Sequence, residues 1–414
     1  MRFDDLEMDS SFLEKTRENG FEQLTNIQEK CIHEISRGRD VVGQAETGSG
    51  KTLAFGLPIL NKIEPGAGVQ AIVLTPTREL CVQVTDVFQE FGKRRGIKTT
   101  GIYGGVSIGP QIKNIRTSDI IVGTPGRILD HIGRHTIHLN AIQFVVLDET
   151  DRMLDMGFID DVDKIIRHTP KDRQTLMFSA TIHGEFQQRM GRYLMSPLVV
   201  KTQPYVSAHK LEETYYDISP KNLKFSLLVH LLKDSAAGST LVFCNTRRET
   251  DIVARNLRKQ NINAVALHGG MTQPARLKSL NALKNRKTDV LVATDVAARG
   301  LDIKKVTHVF NYDVPKTTKE YVHRIGRTAR AGETGVAVTL MTQHDHDSFR
   351  RIQKEYEHKI TRADMPTVKQ VPFHRASPKK QRTSSPRYAK KHNRRHGAPH
   401  RNTYKKSKKR HRRR

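Results

Sequence analysis

Short apolar, β-branched runs recur along the chain, separated by longer stretches of mixed character. Val41-Val42, Ala71–Leu74, Ile120–Val122, Phe144–Leu147, Leu176–Phe178 and Leu198–Val200 form one series. Thr240–Phe243, Ala264–Leu267, Val290–Val292, Val306–Phe310 and Val336–Leu340 form a second. Runs of this length without polar alternation predict strands buried on both faces. The stretches between them, such as Leu53–Ile63, predict covering helices. Strand–helix alternation of this kind implies an α/β fold with two parallel sheets. Residues Lys201–Ser219 carry few long apolar runs, and the boundary between the two halves is expected there. Ligands of such sheets gather at the carboxyl ends of the strands. The segments that follow each strand therefore carry the functional expectations.

Composition adds a third segment. The chain has 414 residues, enough for two domains and an extension. Its hydrophobic content of 36% lies below that of ordinary globular domains. The net charge is +28, and residues 374–414 hold 18 Lys and Arg with no Asp or Glu. Such a segment cannot bury enough apolar area to fold alone. The expected division is 1–205, 206–365 and a disordered basic tail over 366–414. A charge of this size favours a polyanion, nucleic acid before acidic membrane. Three cysteines without a C-x-x-C pair argue against a disulfide framework or a zinc site. No apolar run approaches a membrane span, and the start lacks the apolar core of a signal peptide. A soluble, cytoplasmic chain is expected.

Two segments carry recognisable chemistry. Ala45-Glu46-Thr47-Gly48-Ser49-Gly50-Lys51-Thr52 stands between a strand and a helix, the layout of a phosphate-binding loop. Small residues there let backbone N–H groups approach phosphates at a helix N-terminus. Lys51 supplies a point charge for the outer phosphates, and Thr52 a hydroxyl for Mg²⁺. Asp148-Glu149-Thr150-Asp151 follows a second strand of the same half. Asp148 is expected to hold Mg²⁺ and Glu149 to activate the attacking water.

These motifs, with those below, resemble the DEAD-box family of ATP-dependent RNA helicases from about Phe3 to about Leu340. Thr150 departs from the family's Ala, and Leu24 stands where proline is common. The resemblance implies two tandem RecA-like domains using ATP and Mg²⁺. Gly20–Gln28 is similar to the family's Q motif, which implies that Thr25 and Gln28 meet adenine and that Phe3 stacks on it. Asp302 matches the ribose contact. Ser179 and Thr181, in Ser179-Ala180-Thr181, are implied to bond carboxylates near Asp151 and couple nucleotide state to domain geometry. Arg324 and Arg327, in His323–Arg330, are implied to reach the γ-phosphate from the second half.

A further set of motifs is implied to hold RNA through its backbone, independent of sequence. In the first half these are Pro76, Thr77 and Arg78, Gly105, and Thr124, Pro125, Gly126 and Arg127. In the second they are Thr246, Gly269, Gln273, Arg276 and Thr294. Small residues and hydroxyls there suit phosphate and 2′-OH contacts. The basic tail is expected to tether RNA non-specifically. The expected activity is RNA-stimulated ATP hydrolysis coupled to local unwinding of short duplexes. The alternatives are an ATP-gated clamp or annealing chaperone, and a DNA-directed motor.

Overall fold

The computed structural model describes residues 1–45, 48–182, 191–202, 211–234, 238–298, 306–329, 334–356 and 358–375. Seven strands form the first sheet: β1 (Val41–Gln44), β2 (Ala71–Leu74), β3 (Thr99–Ile102), β4 (Ile120–Gly123), β5 (Phe144–Asp148), β6 (Gln174–Ser179) and β7 (Leu198–Lys201). Seven more form the second: β8 (Leu211–Ile218), β9 (Ser239–Phe243), β10 (Ala264–Leu267), β11 (Val290–Ala293), β12 (Val306–Asn311), β13 (Gly335–Thr342) and β14 (Thr361–Arg362). The orders are β3-β4-β2-β5-β6-β1-β7 and β10-β11-β9-β12-β13-β8-β14, and every pairing is parallel. Position for position, the second sheet repeats the first.

The apolar runs fold this way because both faces are covered. Successive side chains of a strand point to opposite faces. Val41, Val73, Val146 and Leu176 pack with Phe55 and Phe88 on one face of the first sheet. Val42, Ile72, Val145 and Leu147 pack with Ile128 and Val162 on the other. The second sheet divides likewise, with Val242, Val292 and Phe310 on one face and Leu241, Leu291 and Val309 on the other.

Three strands, β3, β8 and the two-residue β14, lie where none was expected. β3 reads Thr-Thr-Gly-Ile, and only its place beside β4 marks it as sheet. β8, Leu-Glu-Glu-Thr-Tyr-Tyr-Asp-Ile, falls inside the segment taken as the boundary. It is a full strand of the second sheet, paired with β13 over eight residues.

The ordered fold also runs further than the expected limit at 365. Residues 364–375 lie as a strap across the helices Lys224–Asp234 and Arg247–Lys259. Met365, Val368, Val371 and Phe373 pack on the apolar face beneath. The Val371 N–H donates to Ser226 Oγ at 3.0 Å, and Phe373 meets Phe225 with ring centroids 4.7 Å apart. Asn256 clasps His374 in both directions, at 2.9 and 3.0 Å.

Candidate nucleotide and nucleic-acid site

Lys51 opens the helix Lys51–Lys62 directly after Gly50, which takes φ +90°. A side chain at Gly50 would be strained by that φ and would place Cβ 2.5 Å from Gln28 Nε2. Gly48 has φ +88°. The loop is thus bare backbone wrapped at a helix N-terminus, a cradle suited to phosphate. Lys51 is buried and donates to Ala45 O at 2.7 Å. Thr52 is half-buried beside it, and Ser49 is buried. Thr47 and Asp302 lie outside the described residues.

The Q-motif glutamine braces this loop. Gln28 Nε2 donates to Gly50 O at 3.1 Å, and its Oε1 accepts from the Thr25 N–H at 2.9 Å. Both ends of the amide are therefore engaged within the chain. Phe3 is 2% exposed and packs against Phe21, with its N–H donating to Glu22 O at 3.2 Å. Its ring is a core element under the Q motif.

Asp148 ends β5, where burial pushes its carboxyl up to about 7. The Lys51 ammonium opposes that shift, and the Glu149 and Asp151 carboxylates reinforce it. A buried carboxylate of this kind favours a cation close by. Among the described residues no three His, Cys, Asp or Glu side chains gather as a metal site. Asp148 is a donor of the kind Mg²⁺ takes, since Mg²⁺ commonly binds one or two carboxylates and completes its shell from phosphates and water.

Glu149 turns the chain from strand to helix with φ +52°. Its Oε2 pairs with Arg152 Nη1 at 3.2 Å, and Arg152 Nη2 donates to Val296 O of the second lobe at 3.0 Å. Thr150 is fully buried, and its hydroxyl donates to Leu147 O at 3.1 Å and Phe178 O at 3.3 Å. The extra hydroxyl relative to Ala is therefore satisfied between the ends of β5 and β6. Asp151 Oδ2 accepts from the Thr181 N–H at 3.1 Å and from its hydroxyl at 2.9 Å. Ser179 differs from expectation. Its Oγ accepts from the Asp151 N–H at 3.3 Å and donates to Thr181 O at 2.7 Å, so it meets backbone and no carboxylate.

Arg324 also departs from expectation. It is 1% exposed, and its guanidinium makes five hydrogen bonds inside the second lobe. Two go to Asp295 at 2.6 and 2.7 Å, two to Asn311 Oδ1 and Asp313 O, and one to Asn245 Oδ1. The side chain lies over Phe243, 5.3 Å from the ring centroid. A guanidinium has five N–H donors, so none remains for a phosphate. Arg327, on the same segment, is buried with Nε donating to His323 O at 3.2 Å.

The expected RNA residues lie on strand-end loops of both sheets and on the first turns of the helices that follow them. Thr77 caps the helix Arg78–Gly92. Thr124 leads into the helix Pro125–Gly133, which carries Pro125, Gly126 and Arg127. Arg127 donates to Val106 O and to Gln111 Oε1, and Gln111 also bonds Tyr103 O and the buried His131. Gln111 and His131 brace this surface, and nothing in their spacing marks them. Glu79 is a second unforeseen residue. Its Oε1 accepts from Gln273 Nε2 at 3.0 Å and lies 2.9 Å from Arg276 Nε, so both second-lobe residues converge on the first lobe. Lys319 and Asp155 make another bridge between the lobes at 2.9 Å. Among the described residues, no helix is long and apolar enough to cross a membrane.

Two family models match the chain: DEAD/DEAH box helicase over residues 25–190 and helicase conserved C-terminal domain over 223–332. The ATP-dependent RNA helicase CshA of Limosilactobacillus reuteri is 43% identical over 356 residues, 86% of this chain and 72% of that protein. The DEAD-box ATP-dependent RNA helicase CshA of Bacillus subtilis is 42% identical over 369 residues, 88% and 74%. Among solved structures, S. cerevisiae Dbp5 bound to RNA and ADP BeF3 aligns with a TM-score of 0.79 and 31% identity. That match covers 87% of this chain and 95% of the other.

Proposed function

Because the chain belongs to the DEAD-box family of ATP-dependent RNA helicases, we propose a division of labour across its two lobes. The first lobe holds and hydrolyses ATP, the second completes the site, and RNA binds across both. Unwinding is local and non-processive. Closure holds one strand in a path that a regular duplex cannot follow, so its partner is lost.

In this reading Gly48, Ser49 and Gly50 cradle the phosphates, with Lys51 as counter-charge. Thr52 and Asp148 hold Mg²⁺, which supplies neutralisation of charge on the phosphate oxygens. Glu149 orients the attacking water and accepts its proton. Arg327 is the arginine offered from the second lobe, and Arg324 positions the segment that carries it. Asp151, Ser179 and Thr181 couple the acidic strand end to the end of β6. The basic tail adds salt-sensitive RNA affinity, and the protein works in the cytoplasm.

The observation that chiefly supports this reading is the chain Glu149–Arg152–Val296 O. It ties the proposed base to the second lobe through two hydrogen bonds. Glu149→Gln is expected to retain ATP and RNA binding and to lose RNA-stimulated turnover. Wild-type turnover in that variant would remove Glu149 from the role of base.

A further inference from the structure

Only two of the eight residues of β8 are buried, Glu213 and Ile218. A carboxylate is an unfavoured choice there, because burial strips its water and the lost hydrogen bonds must be replaced. Two phenols replace them. Glu213 Oε2 accepts from the Tyr321 hydroxyl at 2.7 Å, and its Oε1 from the Tyr356 hydroxyl at 2.9 Å. Among the described residues Glu213 pairs with no lysine or arginine. Burial pushes its carboxyl up, and the two hydroxyls oppose that shift.

The two tyrosines come from different helices. Tyr356 is the C-cap of the helix His346–Glu355, and the fully buried Tyr321 sits within the helix Thr318–Ile325. Their rings meet edge to face, with centroids 5.3 Å apart. Glu213 therefore ties one strand to two helices. The second of these helices leads directly into Arg327, and three side chains anchor that segment. Tyr321 bonds Glu213 of β8. Arg324, three residues on and so on the same helix face, bonds Asn245, Asp295, Asn311 and Asp313. Thr328 Oγ1 donates to Val306 O at 2.7 Å and to Thr307 O at 2.9 Å, both on β12. Of the three, only Tyr321 reaches β8, the strand by which the chain enters the second sheet after β7.

We infer that Glu213 is a positioning residue for ATP hydrolysis, one that fixes, through Tyr321, the helix that presents Arg327. The inference rests on the proposed role of Arg327. A leucine at 213 would fill the same space. The carboxylate adds directional bonds, which set the rotation of the helix about its axis as well as its distance from the sheet. A rotation at Tyr321 is carried along the helix to Arg327, where a misplacement of about 1 Å is enough to cost about 10²-fold in rate.

The test uses the full chain with ATP and a single-stranded RNA, below the melting temperature of every variant. It measures kcat and the KM for RNA. Tyr321→Phe keeps the ring and removes the bond. It is expected to lower RNA-stimulated kcat by about 10- to 100-fold with the KM for RNA unchanged. Glu213→Leu should match it. Glu213→Gln, whose amide can accept from one phenol and donate to the other, should restore most of the turnover. Arg327→Gln runs alongside, alone and combined with Tyr321→Phe. The double variant should turn over no more slowly than Arg327→Gln, since both changes act through one guanidinium. A double variant slowed by the product of the two single effects would make Tyr321 a support of the fold independent of Arg327 and would overturn the inference. Wild-type kcat in Tyr321→Phe and Glu213→Leu, beside a low kcat in Arg327→Gln, would also overturn it and leave the role of Arg327 standing. Wild-type kcat in Arg327→Gln would remove that role and the inference with it.

Discussion

Arg324 shows how far a side chain's role depends on its neighbours. Its motif places it near Arg327, yet five hydrogen bonds hold it within the second lobe, on Asn245, Asp295, Asn311 and Asp313. Those partners come from three separate segments, so no local spacing announces the network. Removing one member of such a buried pair leaves Asp295 uncompensated, at a cost of about 3–5 kcal/mol. Arg324→Gln should therefore lower the melting temperature markedly. Arg327→Gln should shift it less while lowering RNA-stimulated kcat by about 10³-fold or more. Thermal melts and ATPase assays on the pair decide this, and an Arg324→Gln protein that melts like wild type would return Arg324 to the phosphate. Other residues were legible because their chemistry is local. The glycine-rich loop and Asp148 need only a strand end and a short turn, whereas the Asp151–Thr181 bond joins the ends of two strands and was reached through the family's motif order. Gln111, His131 and Glu79 were not, since each acts through contacts across segments.

Among the elements, strands buried on both faces declared themselves as apolar runs, and their sequence limits match the observed ones within a residue or two at most ends. β3 and β8 did not, for different reasons. β3 has Thr99, Thr100 and Gly101 where an inner strand would have Val or Ile, because it lies at the edge. β8 runs next to the short edge strand β14, and most of its positions are only half-buried, which permits Glu, Thr and Asp. The strap over 364–375 was missed because its apolar residues are spaced irregularly, without helix or strand period. Its contribution is measurable. A chain ended after Gln370 loses the Val371, Phe373 and His374 contacts, whereas one ended after Arg375 keeps them. The shorter chain is expected to be less stable by about 2 kcal/mol, read from the denaturant midpoint. Equal midpoints would show that the strap adds nothing.

For the molecule as a whole, the two sheets share one strand order but differ in their strand-end chemistry. β1 leads into the phosphate loop, whereas β8, its counterpart, leads into Ser219-Pro220 and carries no such loop. Where β5 ends in Asp148, β12 ends in Asn311, a partner of Arg324. The phosphate loop is thus single, while the loops proposed to meet RNA occur in both sheets. Contacts at Glu79, Arg152 and Lys319 join the halves. In the proposed reading the duplication acts as a ruler. On that reading, a strand that reaches the loops of only one lobe would bind but leave the lobes uncoupled, and a strand that spans both would couple its own length to the hydrolytic clock. ATPase stimulation measured along a ladder of oligonucleotides should therefore rise abruptly at one length and then level off. A smooth increase beginning at the shortest oligomers would mean that the second lobe is not being counted.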